Sequence, residues 1–178
     1  MTAESLEARV ALFEADIDIR ASATQYCFAI DDRDLDTVAR LLLPDTRVWS
    51  EDGVMDAVGV DSSIELYKGR YASLGATNRV MHDHLIVHKA QDQARARVSA
   101  HAEVLRNETA LVAALRYSDR YERVGGQWRF RERKLSFFYY RPVHVYGRAL
   151  GRAHRMRAHG NARPADHPER LPTWREYR

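Results

Sequence analysis

The chain is predicted to be an α+β domain whose helices pack on the concave face of an antiparallel sheet, and three observations carry this. Apolar residues recur at helical spacing through the first forty-odd residues, the period changes to two after Pro44, and a run of strand candidates separated by short turns follows. Helices grouped before antiparallel strands form two layers around one core. With 178 residues there is room for one such domain and an appendage. A content of 45% hydrophobic and 30% charged residues excludes disorder of the whole chain.

Ser5 is a helix cap ahead of Leu6, Val10 and Phe13, and Ile17, Ala21, Thr24 and Phe28 continue one face, giving two helices or one bent helix that ends near Asp31. Asp34 caps a further helix carrying Leu35, Val38, Leu41 and Leu42, with Pro44 beyond its end. Two strands, 46–50 and 54–58, flank the Asp52-Gly53 turn of a hairpin. Asp61 and Ser62 cap a short helix with Ile64, Tyr67 and Tyr71. Strands over 78–89, 94–105, 111–124 and 127–140 complete the order, the last two joined by Gly125-Gly126.

Net charge is +3, but nine arginines against three acidic residues from Arg141 onward give that segment +6 and leave the body at −3. The basic balance therefore belongs to the tail, and no nucleic-acid partner is expected. The expected domain spans 1–142, and 143–178 reads as a basic arm that wraps its own domain or a neighbouring subunit, anchored by Trp174 and Tyr177. Cys27 is the single cysteine, which excludes an intrachain disulfide framework and a thiolate zinc cluster. Neither a signal peptide nor an apolar run of membrane-spanning length is visible, so the expectation is a cytoplasmic protein without a membrane partner.

Few residues stand out for chemistry. Asp31 closes an apolar helical turn, and Tyr26 lies five residues earlier, somewhat over one turn away. Such an aspartate also serves simply to solvate a helix junction. On the first long strand, strict alternation puts His82 and His84 on one face, where a histidine beside a carboxylate becomes a general base. Solvent-facing histidines on a strand edge are the plain alternative. The His82-x-His84 spacing also suits a metal, but His88 would lie roughly 13 Å from His84 at about 3.3 Å per residue, so no metal or cofactor is expected. His101 alternates with a face of alanines and is expected outward. Arg133 stands in a charged run, 129–134, that reads as solvated. Trp49, Tyr117 and Phe137 are core residues or the lining of an aromatic cavity.

Four segments in this order carry a resemblance: Tyr26-Cys-Phe-Ala-Ile-Asp31, Leu43-Pro-Asp-Thr-Arg-Val, Met81-His-Asp-His-Leu-Ile-Val, and Asp119-Arg-Tyr through Gly-Gly-Gln-Trp to Arg133. Together they resemble the SnoaL-like branch of the nuclear transport factor 2-like superfamily, near scytalone dehydratase, bile-acid 7α-dehydratase and lindane dehydrochlorinase. The resemblance implies a cone-shaped barrel enclosing an apolar pocket, in a homodimer or homotrimer. It implies a cofactor-free lyase or isomerase acting on a small apolar metabolite, cyclic polyketide, steroid or aromatic compounds included. By the same resemblance His82 is the base, Asp31 orients it, and Tyr26 polarises a substrate oxygen or leaving group. His84, Arg133, Trp49, Tyr117 and Phe137 would bind the substrate. The family usually carries one histidine followed by an asparagine, whereas two histidines alternate here, so His84 is the other candidate base. The same scaffold also serves as a non-catalytic subunit of ring-hydroxylating oxygenases or as a plain ligand-binding module.

Overall fold

In the computed structural model, which describes residues 5–157 and 160–176, the chain opens with one long helix, α1 (Leu6–Asp32). The Ser5 hydroxyl accepts from Ala8 N at 3.2 Å and starts it. Asp34 then caps α2 (Leu35–Leu41) by accepting from Thr37 N at 2.9 Å, as its sequence position predicts. β1 (Leu42–Ser50) and β2 (Asp56–Val58) form the hairpin, and α3 (Val60–Tyr71) follows. Its cap is Gly59, at φ +89, rather than Asp61 or Ser62. Four long strands come next: β3 (Leu74–Ala90), β4 (Gln93–Arg106), β5 (Thr109–Val124) and β6 (Gln127–Pro142).

The six strands make one curved, unclosed sheet in the order β2-β1-β6-β5-β4-β3, antiparallel except for the β1–β6 pair. The α+β class and the helices packed on the sheet are as expected. The cone is open, with β2 and β3 as its edges. Alanines 94, 96, 100 and 102 of β4 are buried on the concave face, across which α1 packs against β3 and β6.

The buried face of α1 is not the one marked by its large apolar residues. Ala15, Ile19, Ala23, Tyr26, Cys27 and Ile30 face the sheet, while Leu6, Val10, Phe13, Ile17 and Phe28 are exposed. No helix among the described residues is long and apolar enough to cross a membrane.

The tail returns to its own domain. Beyond a 3-10 turn, Val143–Arg148, Met156 pairs with Tyr140 on the stretch of β6 that β1 does not reach. Buried Arg155 donates to the carbonyls of Phe138, Arg152 and His167 and to Glu169, and buried Asp166 accepts from Phe137 N. These residues anchor the arm, whereas Trp174 is exposed and Tyr177 lies outside the described residues.

Candidate active site

The placement of the candidate residues turns on one bulge. β3 pairs Met81 with Ala100 and then His84 with Val98, so the strand carries one extra residue around His82 and Asp83. Such an insertion reverses the side-chain alternation downstream. Thr77, Arg79 and Met81 face the helices before it, and His84, Ile86 and His88 face them after it. Strict alternation would put His82 and His84 together; the bulge separates them.

His82 therefore sits on the outer face, exposed, with Nε2 2.6 Å from Nδ1 of His101, itself exposed. The expected hydrogen bond between Asp31 and His82 is not formed. Asp31 accepts instead from Thr77 Oγ1 at 2.6 Å, from Arg79 N at 2.7 Å and from the Arg79 guanidinium. Arg79 thus holds the place beside Asp31 that the resemblance gives to a histidine.

The concave face gathers a second group that sequence reasoning undervalued. Arg133 is fully buried, its guanidinium carbon 4.2 Å from the ring centre of Tyr26, 4.0 Å from Tyr117 and 4.6 Å from Phe130. Its Nη2 lies 3.2 Å from Oδ2 of buried Asp119, and Nε and Nη1 have no hydrogen-bond partner among the described residues. Asp119 also accepts from the Tyr121 hydroxyl at 3.1 Å. Burial pushes its carboxyl up to about 6, against the opposing pull of Arg133. For Arg133 burial disfavours the charge, yet Asp119 and the surrounding phenols hold its pKa above the ordinary value. The parity of Asp119, between inward Tyr117 and Tyr121, was the one sequence signal for this pair.

Tyr26 is buried and its hydroxyl contacts that of Tyr67 from α3. Burial, then the neighbouring Tyr67, keeps it protonated well above the usual phenol range, so it remains a donor. His84 is half-buried, and its Nε2 has no hydrogen-bond partner among the described residues. Burial first, then the charges of Arg20 and Arg133, lowers its pKa, which keeps the imidazole neutral, with a ring nitrogen free to accept a proton.

Of the other candidates, Tyr117 belongs to this cluster, and Phe137 is buried further along β6, stacked on Tyr140 with centroids 5.7 Å apart. Trp49 faces the other way. Its Nε1 donates to Glu132 at 2.9 Å, and it lines an outer groove of about 470 Å³ with Leu85, Val87, Arg95 and Arg97.

The His84 shift has a consequence for stability. A histidine whose folded pKa lies below its unfolded value near 6.5 contributes stability that is present above that value and lost as pH falls through the folded pKa. Urea unfolding between about pH 7.5 and pH 5 should accordingly show a weaker acid loss in His84→Gln than in the parent chain. Equal slopes would show that His84 is not desolvated.

No functionally curated protein matches the chain. Solved structures do match it in fold. A proposed scytalone dehydratase from Novosphingobium aromaticivorans is 19% identical over 77% of this chain and 93% of that one, with a TM-score of 0.71. A hexachlorocyclohexane dehydrochlorinase, LinA type 2, is 14% identical over 88% and 98%, with a TM-score of 0.72. A ketosteroid isomerase-like protein from Erwinia carotovora atroseptica is 20% identical over 68% and 95%, with a TM-score of 0.60. At such identities the likeness shows the fold alone. The SnoaL-like domain model matches residues 12–134, more than half of the sequence and the stretch from within α1 to just past Arg133, and the chain belongs to that family.

Proposed function

We propose that this protein is a cofactor-free lyase or isomerase that removes a proton from a small, largely apolar substrate and stabilises the resulting anion inside the cone. The observation that carries the reading is Arg133, a fully buried cation with two guanidinium nitrogens that have no hydrogen-bond partner among the described residues, in a box of aromatic rings. A preorganised donor in a dry site acts most strongly where negative charge develops. His84, neutral and facing the same side, is the base in this reading, in place of His82, and Tyr26 donates to a substrate oxygen or leaving group. Asp31 acts here with Arg79, fixing the end of α1 to the start of β3.

The test is deuterium wash-in. Small cyclic ketones and β-hydroxy carbonyl compounds are incubated with the protein in D2O, and label at the acidic carbon is read by mass spectrometry. The expected result is exchange that falls about 10²–10⁴-fold in His84→Gln and about 10²–10³-fold in Arg133→Met combined with Asp119→Leu, which leaves no lone buried charge, with both proteins folded. Exchange equal to buffer, or unchanged in both variants, overturns the reading.

The pairing of Asp31 with Arg79 favours a second reading, a ligand-binding module, because no carboxylate orients a base at that position. Binding of the same compounds that is lost in the Asp119→Leu, Arg133→Met variant, without any exchange in the parent chain, would select it.

A further inference from the structure

Apolar residues of α1 at Leu6, Val10, Phe13, Ile17 and Phe28 fall on one face of the helix, along about 33 Å at 1.5 Å per residue. Their exposures are 73%, 45%, 63%, 65% and 62%. The opposite face, Ala15 to Ile30, is already buried on the sheet, so the helix is apolar on two sides. A helix of that kind has a second surface to cover. The open side chains present on the order of 500 Å² of apolar surface, above what a monomer usually leaves contiguous.

We propose that this stripe is the contact between two copies of the chain, related by a two-fold axis, with α1 packed on α1. Three features select a second copy. The stripe is continuous with a sheet edge, because Arg20 beside it donates to the His84 carbonyl at 3.0 Å and β3 is the last strand of the sheet. A typical interface takes about 800 Å² from each partner. The stripe alone supplies more than half of that area, and its charged borders add a polar rim to it. The flanks are also self-complementary. Glu7, Glu14 and Asp18 border one side of the stripe, and Arg9 and Arg20 border the other; Asp16, on the basic side, is occupied by His88 at 2.7 Å. Two such helices set an acidic border against a basic one only when they run in the same direction, as between the flanking positions of a parallel helix pair.

This proposal is independent of the interior chemistry. Light scattering on the full chain at micromolar concentration should give one species of twice the 20.5 kDa chain mass. Phe13→Glu combined with Ile17→Glu should raise the dissociation constant about 100-fold or more, with unchanged circular dichroism because both residues face solvent in one chain. As a separate measurement, Val10→Cys should form an interchain disulfide on mild oxidation, since parallel helices set position 10 against itself, and the native Cys27 is buried. A mass of one or three chains, a dimer indifferent to the helix variant, or a dimer in which Val10→Cys does not cross-link overturns the proposal.

Discussion

Asp119→Ala should destabilise the protein by about 3–5 kcal/mol at neutral pH, because it leaves Arg133 charged and uncompensated inside the core. Both members of the pair are fully buried, so solvent cannot take the place of the missing partner. The same physics predicts that Asp119→Leu combined with Arg133→Met recovers most of that loss, since an apolar pair of similar volume carries no desolvation cost. Chemical denaturation of the three variants checks this, and a double variant as unstable as Asp119→Ala would show that the pair contributes net stability. The pH dependence has a defined sign. A carboxyl whose folded pKa is raised to about 6 contributes stability that is present below its unfolded value near 3.9 and lost as pH rises through about 6. That loss should be missing from the double variant. It runs opposite to the acid loss expected from His84, so the two groups can be told apart by their direction alone.

Why would a fold keep a pair that apolar residues could replace? Arg133 has unused donors directed among Tyr26, Tyr117 and Phe130, which a stability role does not require. In the proposed reading the buried pair is the means of holding a cation in a dry site, with Asp119 keeping it charged.

Periodicity located the elements well because capping and alternation are local. Ser5 and Asp34 cap α1 and α2 as their positions foretell, and β4 alternates along its whole length. Periodicity did less well where a choice between two faces depended on the partner. In α1 the larger residues mark the solvent side and the smaller ones the side that packs against β3 and β6, so hydrophobicity alone does not select the inner face. On β3 the extra residue near His82 leaves no trace in composition, yet it decides which histidine turns inward. Arg133 was masked by its charged neighbours: Arg131 and Glu132 find partners toward solvent, and Arg133 alone turns in.

The tail supplies the second large effect, and its anchor was likewise hidden in a run of arginines. Arg155 is buried and donates to three backbone carbonyls, those of Phe138, Arg152 and His167, besides pairing twice with Glu169. Arg155→Ala leaves carbonyls without donors at about 1–3 kcal/mol each, so tail docking should weaken by on the order of 3 kcal/mol. The loss cannot exceed the free energy with which the tail holds to β6, because beyond that point the arm detaches and its carbonyls reach water. The expected signature is therefore local: trypsin should cut the variant rapidly at Arg157 and Arg170 while the 1–142 core resists, and the parent chain should be cut slowly at both. Arg131, half-buried and paired with Glu122 and Asp45 toward the start of β6, away from the docked arm, provides a control, since Arg131→Ala should leave the tail as resistant as in the parent. Equal cleavage of the parent and Arg155→Ala would show that Met156, Ala165 and Asp166 hold the arm without the arginine.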